Sequence, residues 1–279
     1  MSARIRLILA LPALVGLTLS GCKPGDGSRM KAIIGSVLMD GSGGPPVTNS
    51  VVVTAGERIR AAGPASTIPI PAEADKIDGS GRFLVPAIVD LYDGTDKKVP
   101  GAVQLFQKDE LQFEKARDAR LAVIGHIATL ADAEWMVANG ATALVGMVRD
   151  TEALDPDFLA KMRNLKIVVA PALVQSGKDL AAAQRNTLRM FRAGVPIALA
   201  TGGADPLREA ELLSDAGIPP QDVIAAITHN SSLALRSSET GILTPSARAD
   251  LLLLSANPGE DIRNLRKVAL RMTAGEIAQ

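Results

Sequence analysis

The chain has one cysteine, two histidines, one tryptophan, one tyrosine and five phenylalanines among its 279 residues. With a single thiol, Cys22, no disulfide can form within the chain. Aromatic residues make up 3%, too few for the stacking platforms that hold single-stranded bases or sugars. An excess of one charge is missing too. Against 30 Lys+Arg stand 30 Asp+Glu, and no dense basic run occurs, so the electrostatic footprint of nucleic-acid binding is absent and no such partner is expected. The apolar run at residues 7–20, broken by Pro12, is shorter than the about 20 residues that a membrane-spanning helix needs. What remains is a globular composition, 47% hydrophobic, over a length that suits one large α/β domain or two ordinary ones.

The first segment reads as a targeting signal. Arg4 and Arg6 precede the apolar run, and the small residues Ser20 and Gly21 follow it. Leu19-Ser20-Gly21-Cys22 resembles the lipobox of bacterial lipoproteins, where the chain is cut before the cysteine and that cysteine receives the lipid. The resemblance implies a signal peptide over residues 1–21, a lipidated Cys22, a membrane contact through that lipid, and a polar tether over residues 22–30. Lys23 rather than Asp after the cysteine implies the outer membrane, facing the periplasm. The alternative is an ordinary secretory signal that ends near a cysteine.

Residues 32–39, 51–54 and 58–62, with a turn at Ala55-Gly56-Glu57, carry a hairpin signature of Val and Ile between Gly and Pro. From Phe83 onward the pattern changes. Residues 83–91 read as one buried strand, a helix is expected over residues 103–119, and strands are expected at 121–125, 143–148, 167–170 and 195–200. Strands alternating with helices predict a parallel sheet. Thr129 with Asp132 forms a capping-box signature, and Asp205-Pro206 places a cap before proline at a helix start. Residues 250–254 and 268–273 return to strand character without a local partner and are expected to pair with the N-terminal hairpin.

Three stretches together resemble the amidohydrolase superfamily, in particular its imidazolonepropionase-like and Xaa-Pro dipeptidase-like members. The first is Asp40-Gly41 with residues 77–90, which ends Val85-Pro86-Ala87-Ile88-Val89-Asp90. The second is Gly125-His126-Ile127-Ala128-Thr129 with residues 138–141. The third runs from Gly194 through Thr201, Glu211, Thr228 and Asn230 to Arg248-Ala249-Asp250-Leu251 and Asn257-Pro258. The resemblance implies an α/β fold: a (β/α) TIM-type barrel over residues 83–246, and a small β domain built from residues 31–82 and 247–279.

It also implies a metal centre at the C-terminal ends of the barrel strands, where one or two divalent ions lower the pKa of bound water. The expected ligands are a His pair after the first strand, a Lys or Glu on the fourth, one His each on the fifth and sixth, and an Asp on the eighth. Here the pair is replaced by Tyr92 and Gly94, the sixth-strand position falls at Gly146 and the eighth at Gly202. Only His126 survives. Between Leu91 and Leu121 there is no room for three further βα units of roughly 30 residues each. The expectation is therefore an incomplete barrel that lacks its second, third and fourth strands.

These substitutions lead to a non-catalytic, lipid-anchored relative of hydrolases that act on non-peptide C–N bonds, with no cofactor, in the bacterial cell envelope. One alternative is an active metal-dependent amidohydrolase whose ion is held by His126, Asp93 and Asp205, oxygen ligands of that kind favouring Mg²⁺ or Mn²⁺ over Zn²⁺. Another is a periplasmic binding or scaffold protein, with a protein partner or a second copy at an open sheet edge. Thr201, Gly202 and Gly203, between a strand and a helix, form a candidate anion-binding loop.

Overall fold

The computed structural model of the chain describes residues 29–95 and 101–278. The lipobox-like segment with Cys22 lies outside the described residues. In chain order the strands are β1 (Met30–Leu38), β2 (Val47–Ala55), β3 (Arg58–Pro64), β4 (Asp75–Asp78), β5 (Phe83–Pro86), β6 (Ala102–Leu105), β7 (Ala122–His126), β8 (Ala143–Val145), β9 (Val168–Ala170), β10 (Leu251–Leu254), β11 (Val268–Thr273) and β12 (Glu276–Ile277). The helices are α1 (Glu110–Asp118), α2 (Leu130–Ala138), α3 (Pro156–Asn164), α4 (Leu180–Arg192), α5 (Pro206–Asp215), α6 (Pro220–Ala225) and α7 (Ser231–Ala234).

One sheet joins the two ends of the described chain, in the order β12-β11-β10-β5-β1-β2-β3, with β4 also on β1. β5 is the seam. It pairs in parallel with β1, Leu84 opposite Leu38, and antiparallel with β10, Leu84 opposite Leu253. Both faces of β10 are covered, which explains its unbroken run of four leucines. Leu251 and Leu253 face a core with Ile33, Val52 and Ile59, while Leu252 and Leu254 face the large core of the helical layer. Further links between the ends are the Ile59 amide to the Ala247 carbonyl (2.8 Å) and Lys31 Nζ to the Gly275 carbonyl (2.7 Å).

The run at residues 83–91 is not one strand. β5 ends at Pro86 within the first sheet, so the boundary expected at residue 83 falls after Pro86. The chain then crosses to the second layer, where the Leu91 amide donates to the Leu199 carbonyl (3.0 Å). Proline, which has no amide hydrogen, suits the end of a strand and a change of direction.

The second sheet is parallel, in the order β6-β7-β8-β9. Residues 195–200, expected as a strand, extend it as a single bridge from Ile197 to Val169, and then pass to residues 91–92. Leu91, Ile124, Val145, Val168 and a set of alanines that includes Ala198 and Ala200 fill one shared interior. Between residues 91–92 and β6 no backbone ladder is present among the described residues; the Gln104 side-chain amide donates to the Leu91 carbonyl (3.4 Å).

β6 corrects the expected helix at 103–119. Residues 102–105 pair in parallel with β7, Gln104 opposite Ile124, and the helix starts only after Asp109, whose carboxylate accepts from the Gln112 amide. The alternating Val103-Gln104-Leu105 pattern, without a cap, joins the neighbouring strand; the cap decides where the helix begins. β6 therefore occupies the place beside β7 that was read as empty.

Candidate functional site

In a parallel sheet all strands end on one edge, and the loops that follow them converge there. β6 presents Gln104 and, one residue past its end, Phe106; β7 ends on His126; Tyr92 comes from the chain that crosses from the first sheet. His126 Nε2 lies 2.7 Å from Gln104 Oε1. Because the Gln104 amide nitrogen donates to Leu91, its oxygen must accept, which assigns the imidazole proton to Nε2. Phe106 stacks on the imidazole at 4.0 Å and Tyr92 meets it edge-on at 4.7 Å. This burial brings the His126 pKa down to about 4, so the ring is neutral at physiological pH with an acceptor lone pair on Nδ1.

A cavity of about 190 Å³ opens beside the ring, lined among others by Tyr92, His126, Gly146, Arg149, Gln175 and Ser176. One wall is the turn after β9. Ala172 there is left-handed, at φ 49°, and Leu173–Gln175 forms a single 3₁₀ turn. The turn is held from behind by Glu209 of α5. Glu209 is fully buried, and its two oxygens accept from the Leu173 and Val174 amides, each at 2.8 Å. Burial pushes its pKa up to about 7 despite both bonds, with the nearby Asp90 adding a smaller push in the same direction.

Asp90 ties the strand ends together. It accepts from the Thr201 hydroxyl (2.6 Å) and from the Tyr92 and Thr201 amides (3.0 and 3.2 Å). Desolvation holds its carboxyl above the usual carboxylate range. The loop read as an anion site is engaged in this network. The Thr201 and Gly202 amides donate to the Tyr92 carbonyl (3.1 and 2.8 Å), and the Gly203 amide donates to Thr201 Oγ1 (3.2 Å). None of the three amides is left for an anion, and the carboxylate of Asp90 stands beside them.

The residues of the alternative metal reading do not converge. Asp93 accepts from the Thr95 amide (3.0 Å) and hydroxyl (2.5 Å), as a turn carboxylate. Asp205 caps α5 through the Leu207 amide (3.0 Å) and pairs with Arg266 (2.7 Å); it lines a different cavity from His126. Among the described residues no group of three His, Cys, Asp or Glu side chains is placed to hold a metal ion.

The backbone at the expected ligand positions gives a stricter test. A Cβ on Gly94 would stand 2.5 Å from the Gly202 carbonyl oxygen, so two of those positions have closed onto each other. Gly146, at φ 94°, has the Ile127 carbonyl where its Cβ would be. Side chains have not merely been exchanged there; main chain occupies the space that ligands would need. The residues present do not fit a divalent ion.

Gln104, Phe106, Arg149, Gln175 and Glu209 were not singled out from the sequence. For Glu209 a signal existed: it falls beside Ala210 on the inward stripe of α5, where a carboxylate demands partners. Nothing in the residues around Gln104 marked it.

No family model matches the sequence, and no curated protein matches it. Solved structures match in shape. A candidate prolidase from Bifidobacterium longum is 18% identical, with a TM-score of 0.75, over 90% of this chain and 95% of that one. Ochratoxinase from A. niger is 14% identical, at 0.75, over 90% and 96%. A Xaa-Pro dipeptidase with bound methionine is 12% identical, at 0.74, over 90% and 100%. These neighbours are members of the amidohydrolase superfamily, and at such identities the likeness is one of fold: mixed α/β with a sheet of parallel strands.

Proposed function

We propose that this chain is a non-catalytic, lipid-anchored relative of the amidohydrolases that binds a small ligand beside His126 in place of hydrolysing a C–N bond. The bond between His126 Nε2 and Gln104 carries the reading. An imidazole whose Nε2 proton is committed to an amide, and whose ring is covered by Phe106 and Tyr92, presents only a neutral acceptor to the cavity. Arg149, Gln175 and Ser176 supply polar groups around it. Such a site can orient a ligand, and an imidazole whose pKa is held down to about 4 is a weak base for activating the Ser176 hydroxyl or a water. In this reading the protein carries no cofactor, and Cys22 holds it at the outer membrane, facing the periplasm.

The test is metal analysis of the purified soluble form, together with assays on dipeptides and N-acyl and aryl amides. The reading expects metal far below stoichiometric and no amide hydrolysis above background. Near-stoichiometric metal that is lost in His126→Ala would overturn it. For the anchor, Cys22→Ser should release the protein from membranes or leave its precursor uncut; unchanged fractionation and mass would refute lipidation.

A further inference from the structure

We infer that the groove between α5 and the β10–β11 pair is a second ligand site, fitted to a small amphiphile with an anionic head and an apolar tail. At about 370 Å³ it is larger than the His126 cavity, shares no lining residue with it, and falls within the roughly 300–1,000 Å³ of small-molecule sites. Ile88, Leu207, Leu252, Leu265 and Val268 make its walls. Val268, at the mouth of the groove, is apolar and 39% exposed.

The charges decide the polarity of the ligand. Two carboxylates line the groove, and both are satisfied: Asp90 by the Thr201 hydroxyl and two amides, Asp205 by Arg266 and the α5 cap. The cation is not. Arg271 is exposed and makes no ion pair or side-chain hydrogen bond among the described residues, and the Thr273 hydroxyl is likewise unbonded there. Arg271 and Thr273 are two apart on β11, hence on one face, and Arg271 stands opposite Leu252 of β10, whose side chain enters the groove. A guanidinium and a hydroxyl at the edge of an apolar trough match a carboxylate or sulfonate head with its tail inward. An amine head would meet no unpaired anion.

Calorimetric titration of the whole soluble chain with sodium octanoate, and separately with octylamine, tests this. Octanoate should bind saturably and octylamine should not. Arg271→Ala, at an exposed position, should weaken octanoate at least tenfold. Leu207→Trp should fill the trough and abolish binding, with an unchanged circular dichroism spectrum as the check on folding. Gln104→Leu, in the other cavity, should leave octanoate affinity within twofold of the parent. Absence of saturable octanoate binding, equal binding of octylamine, or an affinity unmoved by both groove variants would overturn the inference.

Discussion

His126 and Gln104 lie on adjacent parallel strands, and their 2.7 Å bond fixes the imidazole with its proton on Nε2 and its lone pair on Nδ1. Gln104 is held in turn by the Leu91 carbonyl, so the tautomer of His126 is set through the segment that crosses over from the first sheet. Burial keeps the ring neutral beside the neutral amide, whereas a carboxylate at this place would draw a proton onto it.

Gln104→Glu should therefore raise the His126 pKa from about 4 to at least its ordinary 6.5, because an adjacent carboxylate stabilises the imidazolium. Phe106→Ala should move it in the same direction by a smaller amount, through access of water to the ring. Titration of the imidazole C–H resonances by NMR reads both. A His126 pKa that stays near 4 in Gln104→Glu would show that burial alone governs it.

Glu209 should make stability fall with rising pH. Its pKa is raised from an ordinary 4.5 to about 7, so its contribution is fully present below about 4.5 and is lost as the pH rises through about 7. That displacement corresponds to roughly 3 kcal/mol. His126 works the opposite way: with its pKa held down to about 4, its contribution is present above 6.5 and is lost as the pH falls through 4. Comparison with Glu209→Gln separates them. The variant should be less stable at pH 5, where Glu209 is a neutral carboxyl, since the NH2 group of glutamine cannot accept from a backbone amide as the second carboxyl oxygen does, a loss on the order of 1–3 kcal/mol. Its urea midpoint should also change less than that of the parent between pH 5 and pH 8. Parallel pH profiles for the two proteins would exclude Glu209 as the titrating group.

Gly146→Ala should destabilise the protein by at least about 1–3 kcal/mol, because φ 94° is strained for alanine and the new methyl overlaps the Ile127 carbonyl. For the same reason the fourfold change Tyr92→His, Gly94→His, Gly146→His, Gly202→Asp should not gain a zinc site. Stoichiometric zinc in that protein, in a folded state, would show that the backbone at these positions can reopen.

Deleting residues 249–279 should strip hydrogen-exchange protection from residues 32–62, since β5 would lose β10, and Lys31 would lose the Gly275 carbonyl. Exposed strand edges would be left behind, and the truncated chain should aggregate. Full protection of those amides after truncation would mean that the N-terminal strands are stable by themselves.

Local signals were legible in the sequence because they act over a few residues. The Thr129–Asp132 capping box forms as its spacing requires, and Asp205 caps α5 ahead of Pro206. The strand character of residues 251–254 and 268–273, and the alternation of strand and helix after residue 120, follow from apolar periodicity alone. The loss of His from all but one of the positions that the family resemblance implies is read from residue identities, with that resemblance as the guide. Other features needed the folded neighbours. Residues 102–105 are a strand because β7 offers a ladder, not because their own pattern excludes a helix. The run from Phe83 divides at Pro86 because two sheets compete for it. Gln104 becomes the partner of His126, and Glu209 the support of a cavity wall, through contacts 22 and 36 residues away in the chain. Periodicity carries no information about such contacts, since which buried polar group meets which is settled only when strands and helices pack and every donor and acceptor must find a partner.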